Sequence, residues 1–301
     1  MSLFDRLIAE TLPFVPRPLV RHFSAPYIAG ETLQDAVDSV KKLNSEGAMA
    51  TIDVLGEAVS RMEEADKAAD SYLPVIEAIV REELDANISI KPTMLGLALD
   101  YDACKSNFTR VIEKLRPHDM MLRIDMEDSP YTSLTLDLVN ELRGDYSNIG
   151  LVLQSYMRRS MDDLKTHVIP NQTNIRLCKG IYVEPSQIAY QDFDVVRRNY
   201  SHLLRTALSN GVYVGIATHD EVLTWEAVQI IGELGLSPDQ YEFQMLLGVT
   251  PELRRQLIRD GHRMRVYVPF GKDWYAYASR RLKENPKIAG YVLKDILKFR
   301  R

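Results

Sequence analysis

Apolar and polar positions alternate between two regimes along the chain. Eight short stretches, MATIDV, NISIKPT, MLRIDM, GLVLQSY, NIRLCK, VYVGIAT, YEFQML and RVYVPF, are rich in Val, Ile, Leu and Tyr, and each reads as a buried strand. The segments between them carry helical spacing. Successive strands lie roughly 25 to 40 residues apart, the length that a strand, a crossover helix and two loops require. Local punctuation supports the helices. In VTPELRRQLIRDG, Thr250 is the expected N-cap, Pro251 opens the first turn and Gly261 lies just past the end. Thr32 and Asp35 have the spacing of a capping box that opens a helix through about Asn44. The charged segment MEEADKAADSYLPVIEAIVREEL gives the first barrel helix its solvated face.

Repeated βα units without a Gly/Ser linker or low-complexity tract predict an α/β protein. The expected architecture is a (β/α)8 TIM-like barrel over residues 46–301, an N-terminal helical extension over residues 1–45, and a final helix over the barrel mouth. This organisation fits better than two doubly wound domains. It directs attention to one end of the molecule, because parallel barrels place reacting groups at the C-terminal ends of their strands. Those ends offer Asp53, Lys91, Asp125, Gln154, Arg176 with Lys179, Thr218 with His219 and Asp220, Gln244, and Tyr267. Most barrel interiors are Val, Ile and Leu, so a ring of ionisable groups at one end is costly unless it is paired or used.

Composition narrows the classes further. A chain of 301 residues with 46% hydrophobic and 26% charged side chains can bury a sizeable core. Lys plus Arg number 37 against 42 Asp plus Glu, so a net charge of -5 supplies no basic field and argues against nucleic acid as a partner. The two cysteines, Cys104 and Cys178, are far apart and form no CxxC, which fits a reducing compartment and removes any Cys-rich zinc site. Asp5, Arg6 and Glu10 interrupt the N-terminus where a signal peptide needs an apolar run, and no stretch approaches the roughly 18 apolar residues of a spanning helix. The expectation is a soluble, cytoplasmic protein. Leu12, Phe14, Val15, Leu19, Val20 and Phe23 interleave with Arg17, Arg21 and His22, a pattern that packs on its own domain or lies peripherally on the inner face of a membrane.

Two stretches carry candidate chemistry. In RLCKGIYVEP, Arg176 and Lys179 flank a strand end and Gly180 lets backbone approach a ligand, which suits an anion or cofactor seat as well as a plain turn with solvated cations. In KDWYAYASRRLKENP, a helix stopped by Asn285 and Pro286, the residues Tyr277, Arg280, Arg281 and Glu284 share one face. Two guanidiniums beside a tyrosine make a carboxylate clamp, because planar donors grip both oxygens while the ring packs on a small apolar body. The sequence has no GxGxxG after a strand, no Walker A, no HExxH and no GxSxG. A metal site drawn from His219, Asp220, Asp53, Asp125 and Glu242 is disfavoured by the cations interleaved with them, and no metal is expected.

RIDMED, LVLQSY, RLCKGIY, ATHD, YEFQMLLG, RVYVPFG and YASRRL recur in this order in proline dehydrogenases, and from about Thr51 to Glu284 the chain resembles the monofunctional bacterial type of that family. The resemblance implies noncovalent FAD and oxidation of L-proline to 1-pyrroline-5-carboxylate, with hydride passing from proline C5 to flavin N5 as the first step of proline catabolism to glutamate. By the same resemblance Asp125, Arg176 and Tyr267 form the catalytic set, with Arg176 near flavin N5 and Asp125 as its carboxylate partner. Gln154 would hydrogen-bond the isoalloxazine. Lys179, Gly180, Thr218, His219 and Gln244 would line the dinucleotide, and Glu284 would reach its ribityl or ribose region. Lys91, Arg280 and Arg281 would hold the proline carboxylate while Tyr182, Leu246, Tyr267 and Tyr277 enclose the ring. Glu57 would pair with Arg280 and gate the mouth. Electrons would leave for a membrane quinone.

The bulk and hydroxyl of Tyr267 favour proline over hydroxyproline by this resemblance. Ile181, Val183 and Asp220 depart from the family pattern on the adenine side of the cofactor. Three other readings stand beside the main one: a hydroxyproline dehydrogenase, a metal-dependent barrel enzyme using Asp125, Glu242 and His219 on a small anion, and a ligand sensor that does not turn over. The joint presence of Lys91, Asp125, Arg176, Arg280 and Arg281 argues against the sensor.

Overall fold

The computed structural model describes Val20, Arg21 and residues 24–284, with side chains through Ser279. Eight parallel strands close into one barrel in the order β1 to β8. They are β1 Met49–Val54, β2 Ala86–Ile90, β3 Leu122–Ile124, β4 Ile149–Gln154, β5 Ile175–Cys178, β6 Val214–Ala217, β7 Tyr241–Leu246 and β8 Met264–Phe270. Each falls on one of the apolar stretches picked out above. Closure comes from β1 against β8, with Met49 opposite Arg265 and Val54 opposite Phe270.

Helices follow the strands as the spacing predicts. Helix α1, Leu33–Ser45, precedes β1, and α2, Met62–Arg81, follows it; α3 is Tyr101–Leu115 and α4 is Ser129–Asp145. After β4 comes a single turn, α5 Ser160–Asp163, which runs on through a π turn at Leu164–Val168. The remaining helices are α6 Phe193–Ser209, α7 Glu221–Leu234, α8 Pro251–Arg259 and α9 Trp274–Glu284. Side-chain caps set several starts. The Thr32 hydroxyl accepts the Asp35 amide while the Asp35 carboxylate accepts the Thr32 amide, so the expected capping box opens α1. Asp100 caps α3 by accepting the Ala103 amide, and Asp192 caps α6 by accepting the Asp194 and Val195 amides. Thr250 differs from expectation. It stands before α8 in the left-handed region, φ 42°, and its hydroxyl lies 3.6 Å from Met245 Sδ instead of accepting a helix amide. Pro251 and Glu252 therefore carry the start of that helix.

Strand alternation sorts the side chains into two sets. The outward set, including Ile52, Ile88, Leu122, Leu151, Ile216 and Phe243, is fully buried under the helices and forms the apolar core. Truncating one such residue to Ala costs about 2–5 kcal/mol. The inward set is polar through much of its depth: Thr51, Asp53, Asn87, Ser89, Arg123, Arg176, Glu242, Gln244 and Arg265. The expected ring of charge at one end is thus a column that also fills the lumen. It fits because two inward positions have no side chain. A Cβ at Gly150 would strike the Arg123 guanidinium, and one at Gly215 would strike the Gln244 amide.

Candidate active site

The strand ends bring two linked charge groups to the barrel mouth. Asp53 at the end of β1 accepts from Lys91 Nζ at 3.3 Å and from the Tyr72 hydroxyl at 3.3 Å, and the Tyr267 phenol also bonds it. Burial pushes the Asp53 carboxyl above the usual range, with Lys91 opposing that effect. Burial alone would lower the Lys91 ammonium, yet the carboxylates of Asp53, Asp125 and Glu127 outweigh it and raise the pKa above its ordinary value. Lys91 is held as a cation at the mouth.

Arg176 joins the second group. Its Nη1 donates to Asp125 Oδ1 at 2.8 Å, and Asp125 also accepts the Ser89 hydroxyl at 2.6 Å. Its Nε donates to Gln244 Oε1 at 2.7 Å, and the guanidinium lies 5.5 Å from the Tyr267 ring centroid. Arg176, Gln244 and Tyr267 stand within β5, β7 and β8, deeper than the strand ends where the sequence put them. One network thus unites Lys91, Asp53, Tyr267, Arg176, Asp125 and Gln244.

A cationic shelf lies beside it. Lys179 Nζ and Arg197 Nε both meet Asp220 Oδ2, at 2.9 and 2.8 Å, and Arg197 Nη2 completes a fork on Oδ1. Both cations rest on the Phe193 ring. Burial works against the Asp220 charge, but the two cations dominate and hold the carboxyl at about 2. Arg197 Nη1 also meets Asp194 Oδ1 at 3.7 Å, so the two cations are paired with two carboxylates beside the start of α7, which Asp220 itself precedes. Gly180, at φ 106°, lies against the Tyr156 ring where a Cβ has no room, so the chain passes bare at this point. Arg197 and Phe193 escaped the sequence reading. They lie in the amphipathic helix α6, and only the fold shows that its first turn reaches the mouth.

The other predicted residues are placed as follows. Gln154 ends β4, buried, and its Nε2 donates to the Glu127 carbonyl at 2.8 Å. Thr218 is buried, and its hydroxyl accepts the Asp220 amide at 3.1 Å. His219 Nε2 accepts the Leu246 amide at 2.8 Å, which fixes the neutral tautomer with its proton on Nδ1 and ties the loop after β6 to the end of β7. Tyr182 is half-buried in the loop after β5, and Glu57 is exposed in the loop after β1. Tyr277, on α9, packs with Tyr27 and Leu55 into a small apolar cluster that Tyr267 and Trp274 border. The side chains of Arg280, Arg281 and Glu284 lie outside the described residues, although their backbone continues α9. So do most of the basic-apolar N-terminal positions.

Several buried groups have jobs that a list of motifs did not show. Glu184, inside the RLCKGIYVEP stretch, accepts the Ser129 amide at 2.6 Å and hydroxyl at 2.8 Å and so caps α4. Cys178 closes β5, is only part-buried, and burial pushes its thiol up to about 11. Glu242, considered above with His219 and Asp125, sits near the N-terminal end of β7 and pairs with Arg265 at 2.8 Å. Those three residues are engaged separately, and they do not converge on a common point. A cavity of about 400 Å³ opens at that opposite end of the barrel between Asp85, His118, Tyr213 and Arg263. The groups able to work on a substrate gather at the other end.

Comparison with known proteins identifies the family and the fold. The family model described as proline dehydrogenase matches residues 36–293. Proline dehydrogenase 1 of Bacillus subtilis (strain 168) is 35% identical, the match covering 90% of this chain and 90% of that protein. Proline dehydrogenase of Deinococcus radiodurans is 35% identical over 90% of this chain and 89% of its own length. A solved structure of proline utilization A from Bdellovibrio bacteriovorus superposes with a TM-score of 0.82 at 24% identity, over 88% of this chain and 33% of that one, and so shares the fold. The matched span takes in all eight strands, the Arg176 network and the cationic shelf, and on these grounds the chain belongs to the proline dehydrogenase family.

Proposed function

We propose that this chain oxidises L-proline to 1-pyrroline-5-carboxylate, the first step of proline catabolism, with FAD as its noncovalent cofactor. The observation that carries this reading is the network of Lys91, Asp53, Tyr267, Arg176, Asp125 and Gln244 at the mouth of a barrel of this family. The shelf fits a dinucleotide. Lys179 and Arg197, with the start of α7, suit a pyrophosphate, and Gly180 suits close backbone approach. Gln154, Thr218, His219, Gln244 and Glu284 complete the proposed lining. When bound, FAD supplies the two-electron acceptor for the hydride that leaves proline C5.

The chain's own residues bind, orient and exclude water. Lys91, with Arg280 and Arg281, grips the substrate carboxylate, and fixing that group sets the position of C5. Tyr182, Leu246, Tyr267 and Tyr277 enclose the ring. A cationic site favours the neutral amine over the ammonium, and the amine must be neutral before C5 can give up a hydride. Asp125 holds the Arg176 guanidinium in place beside the reacting atoms. The Tyr267 hydroxyl is tied to Asp53, so the ring stands fixed where a 4-hydroxyl would project, and this favours proline over hydroxyproline. Glu57, pairing with Arg280, gates entry.

Of the proposed N-terminal helical extension, residues 1–45, helix α1 lies within the described residues and most of residues 1–23 lie outside them; the proposed catalytic unit is residues 46–301. A membrane quinone takes the electrons in turn. Among the described residues no helix is long and apolar enough to cross a membrane, so contact with the quinone pool would be peripheral, from the cytoplasmic side. The test is anaerobic titration of the FAD-loaded protein with L-proline, with 1-pyrroline-5-carboxylate trapped by an aromatic amine-aldehyde reagent. Stoichiometric product supports the reading, and bleaching without product rejects it.

A further inference from the structure

A carboxylate deep in the lumen has no part in the reaction as set out above. Glu242 lies in β7 at 1% exposure. Its Oε1 accepts from Arg265 Nε at 2.8 Å and from Gln244 Nε2 at 2.6 Å, and its Oε2 accepts the Tyr213 hydroxyl at 3.0 Å. Gln244 turns its other end, Oε1, to Arg176 Nε at 2.7 Å. An ionised carboxylate only accepts and a guanidinium only donates, so the amide between them satisfies both in one orientation. The flipped amide would set NH2 against the guanidinium and oxygen against the carboxylate, two repulsive contacts in a site with little water. Burial works to neutralise Glu242, but Arg265 beside it dominates and holds the carboxyl below the usual range, so the anion persists.

Space reinforces the polarity. Gln244 crosses over Gly215, where any Cβ would collide with its amide nitrogen. Arg176 is consequently held on two sides, by Gln244 at Nε and by Asp125 and Ser89 at Nη1. Its Nη2 makes no hydrogen bond among the described residues and is the nitrogen left for a ligand.

We propose that Glu242 is a positioning residue for Arg176: anchored by Arg265 and Tyr213, it locks the Gln244 amide oxygen-first against Arg176 Nε and so sets the plane in which the guanidinium meets the flavin. The inference rests on the flavin reading above. It gives Gly215 a functional reason, since the relay needs an empty position for Gln244 to cross.

The test uses the full chain loaded with FAD and compares Glu242→Gln and Gly215→Ala with wild type. Gln at 242 keeps an oxygen for Arg265 and Gln244 but removes the negative charge, so its hold on the Gln244 amide is weaker. The alanine displaces Gln244 without removing any charge. In both variants kcat should fall about tenfold while KM for proline moves less than about twofold, because the carboxylate clamp is untouched. A displaced cation stabilises reduced flavin less. The midpoint potential should therefore move negative by about 30 mV, which is a tenfold change for a two-electron couple. Gly150→Ala, which crowds Arg123 in the same lumen, should lower Tm and leave the potential unchanged. Should Glu242→Gln fail to fold, Gly215→Ala decides alone. Loaded variants with wild-type potential and kcat, or a loss of Tm alone, overturn the proposal. A wild-type protein that cannot hold FAD overturns the flavin reading instead, and that result appears before any variant is compared.

Discussion

Arg176 in β5 and Asp125 just past the end of β3 meet at 2.8 Å across the lumen with only 11% and 14% of their side chains exposed, and those two strands are not neighbours in the barrel. A pair this buried holds its geometry by mutual need. Removing one partner leaves the other as an uncompensated charge, and that loss commonly costs about 3–5 kcal/mol.

Asp125→Asn should therefore weaken both stability and chemistry. The expected loss is about 3 kcal/mol in urea unfolding, together with at least roughly a tenfold fall in the rate of flavin reduction by proline. A variant with wild-type values for both would show that the pair is dispensable.

Proline oxidation should quicken from neutral to alkaline pH, because only the neutral amine gives up a hydride. Lys91 sets where that rise can fail. Its ammonium is raised above an ordinary value of 10.5 by the surrounding carboxylates, so the clamp stays charged across the range in which the substrate loses its proton. Stopped-flow reduction rates that are flat, or that fall before Lys91 can titrate, would contradict this account.

Acid sensitivity should trace to the shelf. The Asp220 carboxyl is lowered from 3.8 to about 2 by Arg197 and Lys179 against the opposing effect of burial. A depressed folded-state value contributes stability that is fully present above the unfolded value and is lost as pH falls through the folded one. The window is thus from about pH 4 down to about pH 2. Asp220→Asn should flatten the fall of Tm within that window and leave its slope near neutrality unchanged.

Gly150→Ala places a methyl group against the Arg123 guanidinium, which donates to the Leu151 and Asn174 carbonyls at 2.8 and 2.9 Å. Burial already pushes that guanidinium down to about 9, so it has little tolerance for losing acceptors. The variant should lose about 1–3 kcal/mol, measured by chemical denaturation.

Arg281→Lys tests the clamp. An ammonium retains the charge but cannot reproduce a planar fork, so KM for proline should rise by roughly tenfold. An unchanged KM would remove Arg281 from the substrate site.

The strands and their order could be read from the sequence because outward residues such as Ile88, Ile90, Leu122 and Ile124 give each strand an apolar signal. The same alternation held a second message that went unread. Asn87 and Ser89, Arg123 and Asp125, Glu242 and Gln244, Arg265 and Tyr267 are polar at every second position, and that spacing marks a polar lumen as well as a polar rim. Arg123, Arg265 and the role of Glu242 were missed for this reason. Gly150 and Gly215 were invisible as well, since a glycine that makes room for a side chain from another strand has no local signature. Arg197 could not be placed without the packing of α6, and Glu184 looked like part of the cofactor stretch although its carboxylate caps α4.

In the proposed function the mouth network and the shelf together hold FAD and present it to L-proline. The most direct measurement is an absorbance spectrum of the purified, FAD-reconstituted protein before and after anaerobic L-proline, with trans-4-hydroxy-L-proline in a parallel cuvette. Oxidised flavin bands should bleach promptly with proline and far more slowly with the hydroxylated analogue. A protein that takes up no flavin, or flavin bands that persist in excess proline, would contradict the proposed function.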